Sequence, residues 1–237
     1  MSAFDQPTPA QTAAVDEALE TRRSIRAFLP TPVPQDLLED LLKVASRAPS
    51  GTNTQPWQVH VLTGAARQRL VDRILAVAEN PEELAKHTDE YDYYPKEWVS
   101  PYIDRRRKVG WDLYGLLGIE KADRERMRQQ HLKNYRFFDA PVGIIFTVDR
   151  VMRQGSWLDY GMFIENVMIA ARARGLHTCP QAAFTQFHRI ISEELNLKPE
   201  QMVVIGMALG YADPAAIENS LVTERVPVAD FTTYHRD

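Results

Sequence analysis

A chain of 237 residues, 44% hydrophobic and 25% charged, has the make-up of an ordinary globular protein and the length to bury a core without disulfides or metal. Its formal charge of -4 gives nucleic-acid binding no support, and its single cysteine, Cys179, rules out an intrachain disulfide and fits a reducing, cytoplasmic setting. The opening MSAFDQPTPA lacks the basic start and apolar run of a signal peptide, and no apolar stretch approaches bilayer length.

In chain order, Thr8-Pro9-Ala10-Gln11 reads as a capping box that opens a helix running to about Thr21, with Ala14, Val15, Ala18 and Leu19 on its buried side. A second helix carries Leu37, Leu38, Leu41, Leu42 and Ala45 and stops before Pro49. Trp57 to Leu62 predicts a strand in which Val59 and Val61 alternate with Gln58 and His60, and Thr63-Gly64 opens a helix bearing Leu70, Ile74 and Val77. Residues 79–97 are acidic and tyrosine-rich, whereas 104–136 are basic. The apolar residues of 80–135 are sparse and often aromatic, so this stretch reads as a helical insertion or lid within a single domain over 1–237. The alternative is a solvated helical pair whose opposite charges pair across the surface. Pro141 to Val148 predicts a buried strand, Gly155 to Arg174 a long amphipathic helix ended by Gly175, and LHTCPQAA a short strand or turn. A helix with Ile190, Ile191 and Leu195 precedes a strand from Val203 to Leu209. The tail from Ser220 has little core character and suits packing on a partner subunit or fraying. Strands separated by helices predict an α+β or α/β fold.

Several chemistries lack their signatures. The chain contains no GxGxxG, no GxxxxGK[ST] and no GxSxG, and its six histidines never take zinc-ligand spacing, so no metal is expected. Cys179, followed by Pro180, reads as a small buried residue rather than a nucleophile. By contrast, RRSIRAF at 22–28 sets Arg22, Ser24 and Arg26 at every other position, so an extended backbone turns all three to one side. One hydroxyl between two guanidiniums suits a phosphate. APSGTNTQPW at 48–57 is a small, polar loop where backbone can lie close to a ligand. Taken alone, Arg22, Arg23 and Arg26 also fit a basic cluster at a helix C-terminus, and Ser50 and Asn53 fit a tightened loop.

RRSIRAF, APSGTNTQPW, GLHTCPQAA and a late arginine at 225 occur in an order and spacing that resemble the FMN-dependent nitroreductase superfamily along nearly the whole chain. The inserted YDYYPKEW, with FFDAP before the second strand, is most similar to its nitrobenzoate-reductase branch. The resemblance implies an α+β fold with a central, mostly antiparallel sheet flanked by helices. It also implies a homodimer with a domain-swapped C-terminal tail and one FMN per active site at the subunit interface. NADH or NADPH would be the electron donor. Arg22 would grip the FMN phosphate with Ser24 nearby, Arg23 belonging to the same cofactor-binding stretch, and Arg225 would reach that phosphate from the C-terminal side. Thr223 stands where many members have a lysine. Arg26 would lie near flavin N1 and O2. Pro49, Ser50 and Gly51 would reach the FMN of the other subunit, Asn53 holding their loop. Pro180, Gln181, Ala182 and Ala183 would approach N5, and Asn134 and Arg136 the pyrimidine edge. Tyr94, Trp98 and Tyr102 would wall the acceptor pocket, with Arg105 drawing in a carboxylate.

The implied activity is ping-pong, two-electron hydride transfer that takes a nitro group to nitroso and then hydroxylamine, with the flavin doing the chemistry and no catalytic side chain. Reductive dehalogenation, or flavin destruction, keeps the fold and changes the reaction. A non-catalytic flavin-binding protein and a helical interaction module are alternatives of another class.

Overall fold

The computed structural model describes residues 6–236. Helix α1 (Pro9–Thr21) begins at the predicted capping box: Gln11 N donates to the Thr8 hydroxyl, and Thr8 N donates to the Gln11 side chain at 2.8 Å. There follow α2 (Gln35–Ala45), a 3₁₀ turn at Gly51–Asn53, β1 (Gln58–Thr63), α3 (Gly64–Ala78), α4 (Pro81–Leu84), α5 (Tyr102–Leu116), α6 (Arg124–Leu132) and a 3₁₀ segment over Lys133–Asp139. The second half runs β2 (Val142–Asp149), α7 (Gln154–Arg172), β3 (His177–Gln181), a 3₁₀ segment over Ala182–Phe187, α8 (His188–Glu194), β4 (Gln201–Gly210), a 3₁₀ turn at Ile217–Ser220 and α9 (Val228–Phe231).

The four strands form one sheet in the order β1-β2-β4-β3, with every neighbouring pair antiparallel. The fold is therefore α+β, as expected. Strand β2 is buried from Val142 to Val148, so its side chains feed two cores. Val142, Ile144, Phe146 and Val148 pack with α2 and α7, and Ile145 faces the core of α3, α8 and the two longer 3₁₀ segments. A bulge pairs Phe146 with Ile205 but Thr147 with Val203, which is how Val204 and Ile205 both reach the α7 side. On the opposite face Phe137 and Phe184 stack at 4.4 Å over Gly143 and Gly206, where the sheet has no side chain.

Two expectations about burial need correction. Of the predicted stripe on α1 only Ala18 is buried; Ala14 is exposed, and Val15 and Leu19 are 56% and 49% exposed. Periodicity marks an apolar face but does not supply what covers it, and α7, which packs against α1, leaves Val15 and Leu19 open. On β1, Leu62 is buried and Val61 is exposed, because Val61 opens onto an uncovered cavity of about 900 Å³ at the sheet edge.

Among the described residues no ion pair joins the acidic 79–97 stretch to the basic 104–136 stretch. The charges pair locally, as in Lys86–Glu83, Arg126–Asp123 and Arg128–Glu125. What joins them is a cation–π contact, the Arg106 guanidinium lying 4.8 Å over Trp98 and 5.5 Å over Tyr94. No described helix is long and apolar enough to cross a membrane.

Candidate functional site

Arg22 ends α1 by turning extended, its N–H donating to Ala18 O. The chain then runs beside β3: Ser24 bridges Thr178 in the parallel sense, and Ile25 N donates to Thr178 O at 3.1 Å. Ile25 and Phe28 anchor this segment in the core. Cys179, the residue after Thr178 in β3, is buried in the core with Ile25. Burial pushes that thiol up to about 11, while the Arg26 charge, a hydrogen bond with Ser24 and the Arg22 charge pull the other way. Arg26 donates to Ser24 O at 3.2 Å, and Arg22 lies 3.6 Å from Glu165, so both forks keep donors to spare. Arg23 faces the other way and lines a separate cavity with Ile25.

The far end of β3 supplies the second part. Gln181 is 2% exposed and its Nε2 donates to Asn134 O at 2.6 Å. Its Oε1, like Thr178 Oγ1, is buried without a partner. Pro180 lies within β3, and Ala182 and Ala183 open the following 3₁₀ segment. No side chain caps that segment. The structure thus brings Asn134 to the Gln181 end of β3. The Arg136 guanidinium is instead paired with Asp139 at 2.8 Å, and only its carbonyl is drawn inward, accepting from Arg67 at 2.8 Å.

The loop after Pro49 sits against α7. Gly51 N donates to the buried Asp159 carboxylate at 3.2 Å, Gln55 N to Ser50 Oγ at 3.0 Å, and Asn53 N to Ser50 O at 2.9 Å. These bonds hold Thr52, Asn53 and Gln55 in the left-handed region, at φ +50°, +60° and +48°. Arg225 stands apart from Arg22 and Arg26: it bonds its own neighbours Thr223 and Glu224 and shares a cavity of about 420 Å³ with Arg105 and Lys108 of α5. Tyr94 and Trp98 form one aromatic contact, and Arg105 lies 5.9 Å over Tyr102. Among the described residues none of these four contacts the Arg22–Arg26 segment.

Two organising residues escaped the sequence. Asn219 accepts from Arg26 N at 2.9 Å and donates to Ala27 O and Asp213 O, fixing the arginine segment to the turn after β4. Asp159 anchors the Ser50–Gln55 loop. Each acts on a segment more than a hundred positions away, and no local pattern marks either.

Two guanidiniums flanking a hydroxyl fit a phosphate dianion, and the partnerless Gln181 and Thr178 oxygens beside them fit a polar ring such as that of FMN. Fold and site together define an α+β protein with two guanidiniums and a hydroxyl set on one extended segment where α1 meets β3. The chain belongs to the nitroreductase family, whose model matches residues 19–211. It is 42% identical over 219 residues to a 4-nitrobenzoate reductase of Pseudomonas putida, covering 92% of this chain and 94% of that one. Its fold matches the FMN and NADPH-dependent nitroreductase NfnB of Sphigopyxis sp. strain HMH at a TM-score of 0.90 and 36% identity, over 94% of this chain and 99% of the other. The FMN-dependent NfnB of Mycobacterium smegmatis, solved with NADPH, matches at a TM-score of 0.89 and 28% identity, over 95% and 99%.

Proposed function

We propose that this chain is an FMN-dependent NAD(P)H oxidoreductase that reduces nitroaromatic compounds, nitrobenzoate among them, as a cytoplasmic homodimer. The observation that carries this is the extended run of Arg22, Ser24 and Arg26 laid beside β3, one strand-length from its Gln181–Ala183 end. Arg22 and Ser24 bind the FMN phosphate, and Arg225, which stands apart from them in the single chain, joins them once the tail takes its place in the dimer. Arg26 answers the negative charge that gathers around N1 and O2 on reduction, where a fixed cation favours the reduced ring. Ala182 and Ala183 offer backbone donors to N5, which orient the ring without adding a titrating group. Asn134 serves the pyrimidine edge. Bound there, FMN would supply two-electron hydride chemistry between a nicotinamide and the acceptor. The chain's own part is binding, orientation and charge, and solvent supplies the protons.

Exposed apolar groups support the dimer: Val15 and Leu19 on α1, Leu158 and Met162 on α7, and Val228, Phe231 and Tyr234 on the tail. In this arrangement the tail crosses to the second copy, and Pro49, Ser50, Gly51 and Asn53 of the partner subunit close the flavin site. The 80–135 stretch acts as a lid on a single domain, with Tyr94, Trp98 and Tyr102 walling the acceptor pocket and Arg105 drawing in a carboxylate.

The test is the visible spectrum. The purified protein should be yellow, bleach with NADH or NADPH, and recover its colour with 4-nitrobenzoate. A colourless protein, or a yellow one that neither nicotinamide bleaches, refutes the proposal. Arg22→Glu and Arg225→Glu should each strip the flavin with little loss of helix content, and colour retained in either variant removes that residue from the site.

A further inference from the structure

The back of the arginine segment carries a second basic cluster, on the side that Arg23 faces and away from Arg22 and Arg26. A cavity of about 360 Å³ lies between this segment, the C-terminal end of α7, the start of β3 and the turn after β4. Arg23, Arg172 and His177 line it. Among the described residues neither arginine has a carboxylate within ion-pairing distance. Arg172 Nε donates to Thr21 Oγ1 at 2.8 Å, which leaves its two terminal nitrogens without a partner and holds the fork in place. His177 Nδ1 is buried without a hydrogen-bond partner. Burial, then the Arg172 and Arg23 charges, lower the His177 pKa, so the imidazole is neutral and spares a donor or acceptor beside two cations. The acidic residue on the rim, Asp213, spends one carboxylate oxygen on Ala215 N at 2.9 Å. Two guanidiniums against one carboxylate leave the cavity net positive.

We propose that this cavity is a second anion site, separate from the flavin cradle, which takes a phosphate group. The Arg172 fork held by Thr21, the exposed Arg23 guanidinium and the His177 imidazole offer hydrogen-bonding groups from several directions, which suits a tetrahedral dianion better than a planar carboxylate. The volume exceeds that of a bare ion and falls at the lower end of the range for small-molecule sites, so a phosphate ester fits as well as free phosphate. The 2′-phosphate of NADPH is such an ester, and only that variant of the proposal rests on the nicotinamide reading. The site and the cradle lie on opposite sides of one extended segment, where side chains alternate, so occupancy of one leaves the other's groups free.

Calorimetric titration of the protein as isolated distinguishes these cases, using inorganic phosphate and then 2′-AMP against chloride at matched ionic strength. Phosphate should bind, and Arg172→Gln and Arg23→Gln should each weaken it by about tenfold or more. The flavin absorbance band should be unchanged in Arg172→Gln. Tighter binding of 2′-AMP, lost in the same variants, assigns the site to a phosphate ester; binding no tighter than phosphate assigns it to the free ion. Circular dichroism checks folding, and Arg23 is exposed on an extended segment, so its substitution spares the core. Absence of phosphate binding above the chloride control, or affinity unchanged in both variants, overturns the proposal. Because the measurement needs no turnover, it can fail while the flavin assignment stands, and the reverse.

Discussion

Gly206→Ala should destabilise this protein, although the same change stabilises most strands. Alanine in place of a strand-interior glycine ordinarily gains about 0.5–1 kcal/mol by restricting the unfolded chain. Here an added Cβ would lie 2.8 Å from Phe184 Cγ and closer still to Cδ2. Ordinary contact begins near 3.4 Å, so the ring must retreat by several tenths of an ångström to about 1 Å. It has nowhere to go. Phe184 is fully buried and stacked 4.4 Å from Phe137, which is itself fully buried and pressed over Gly143. Overpacking of this kind costs about 1–3 kcal/mol, so the net loss is about 1–2 kcal/mol. With a urea slope of about 2–3 kcal/mol/M the unfolding midpoint should fall by about 0.5 M. Gly110→Ala is the control: it lies in α5 with nothing within 4 Å of its Cβ position, and should gain about 0.5–1 kcal/mol. Since Phe184 directly follows Ala182 and Ala183, flavin retention on dilution should drop in Gly206→Ala and not in Gly110→Ala. A Gly206→Ala midpoint equal to or above wild type would refute this packing account.

Cys179 is buried and its thiol is pushed up to about 11, so it should resist a thiol reagent at pH 8 and react after unfolding in urea; rapid labelling of the native protein would contradict this. A raised thiol pKa stabilises the fold below the unfolded value near 9, and that contribution should fade as pH climbs towards 11. His60 and His131 are shifted the other way, lowered by burial. Their contribution is present above pH 6.5 and is lost as pH falls below it, because the unfolded chain takes up the proton first. Urea midpoints should therefore decline between pH 7 and the folded-state values, and His60→Gln should flatten the decline; an equally steep fall in that variant would exclude His60 as a source.

Much of the fold was legible because its signals are local. The Thr8–Gln11 capping box, the apolar run of β2 and the left-handed Gly175, at φ +72°, each depend on neighbours within a few positions. The alternation of Arg22, Ser24 and Arg26 was legible for the same reason, since an extended chain repeats every two residues. The resemblance then supplied what spacing alone could not, that these residues belong with Gln181 and Ala182 more than 150 positions later. Asn219 and Asp159 stayed hidden because their hydrogen bonds span 193 and 108 positions.

Residue order by itself marked the main helices and the buried strands, which faces are apolar, and which side chains can share a side. Tertiary structure decided which of those faces is covered: Ala18 is buried while Val15 and Leu19 are not, and Arg23 lines a cavity that Arg22 does not. Backbone periodicity fixes where a side chain points relative to its own strand or helix. What it meets there depends on chain brought in from far along the sequence, which no local spacing encodes.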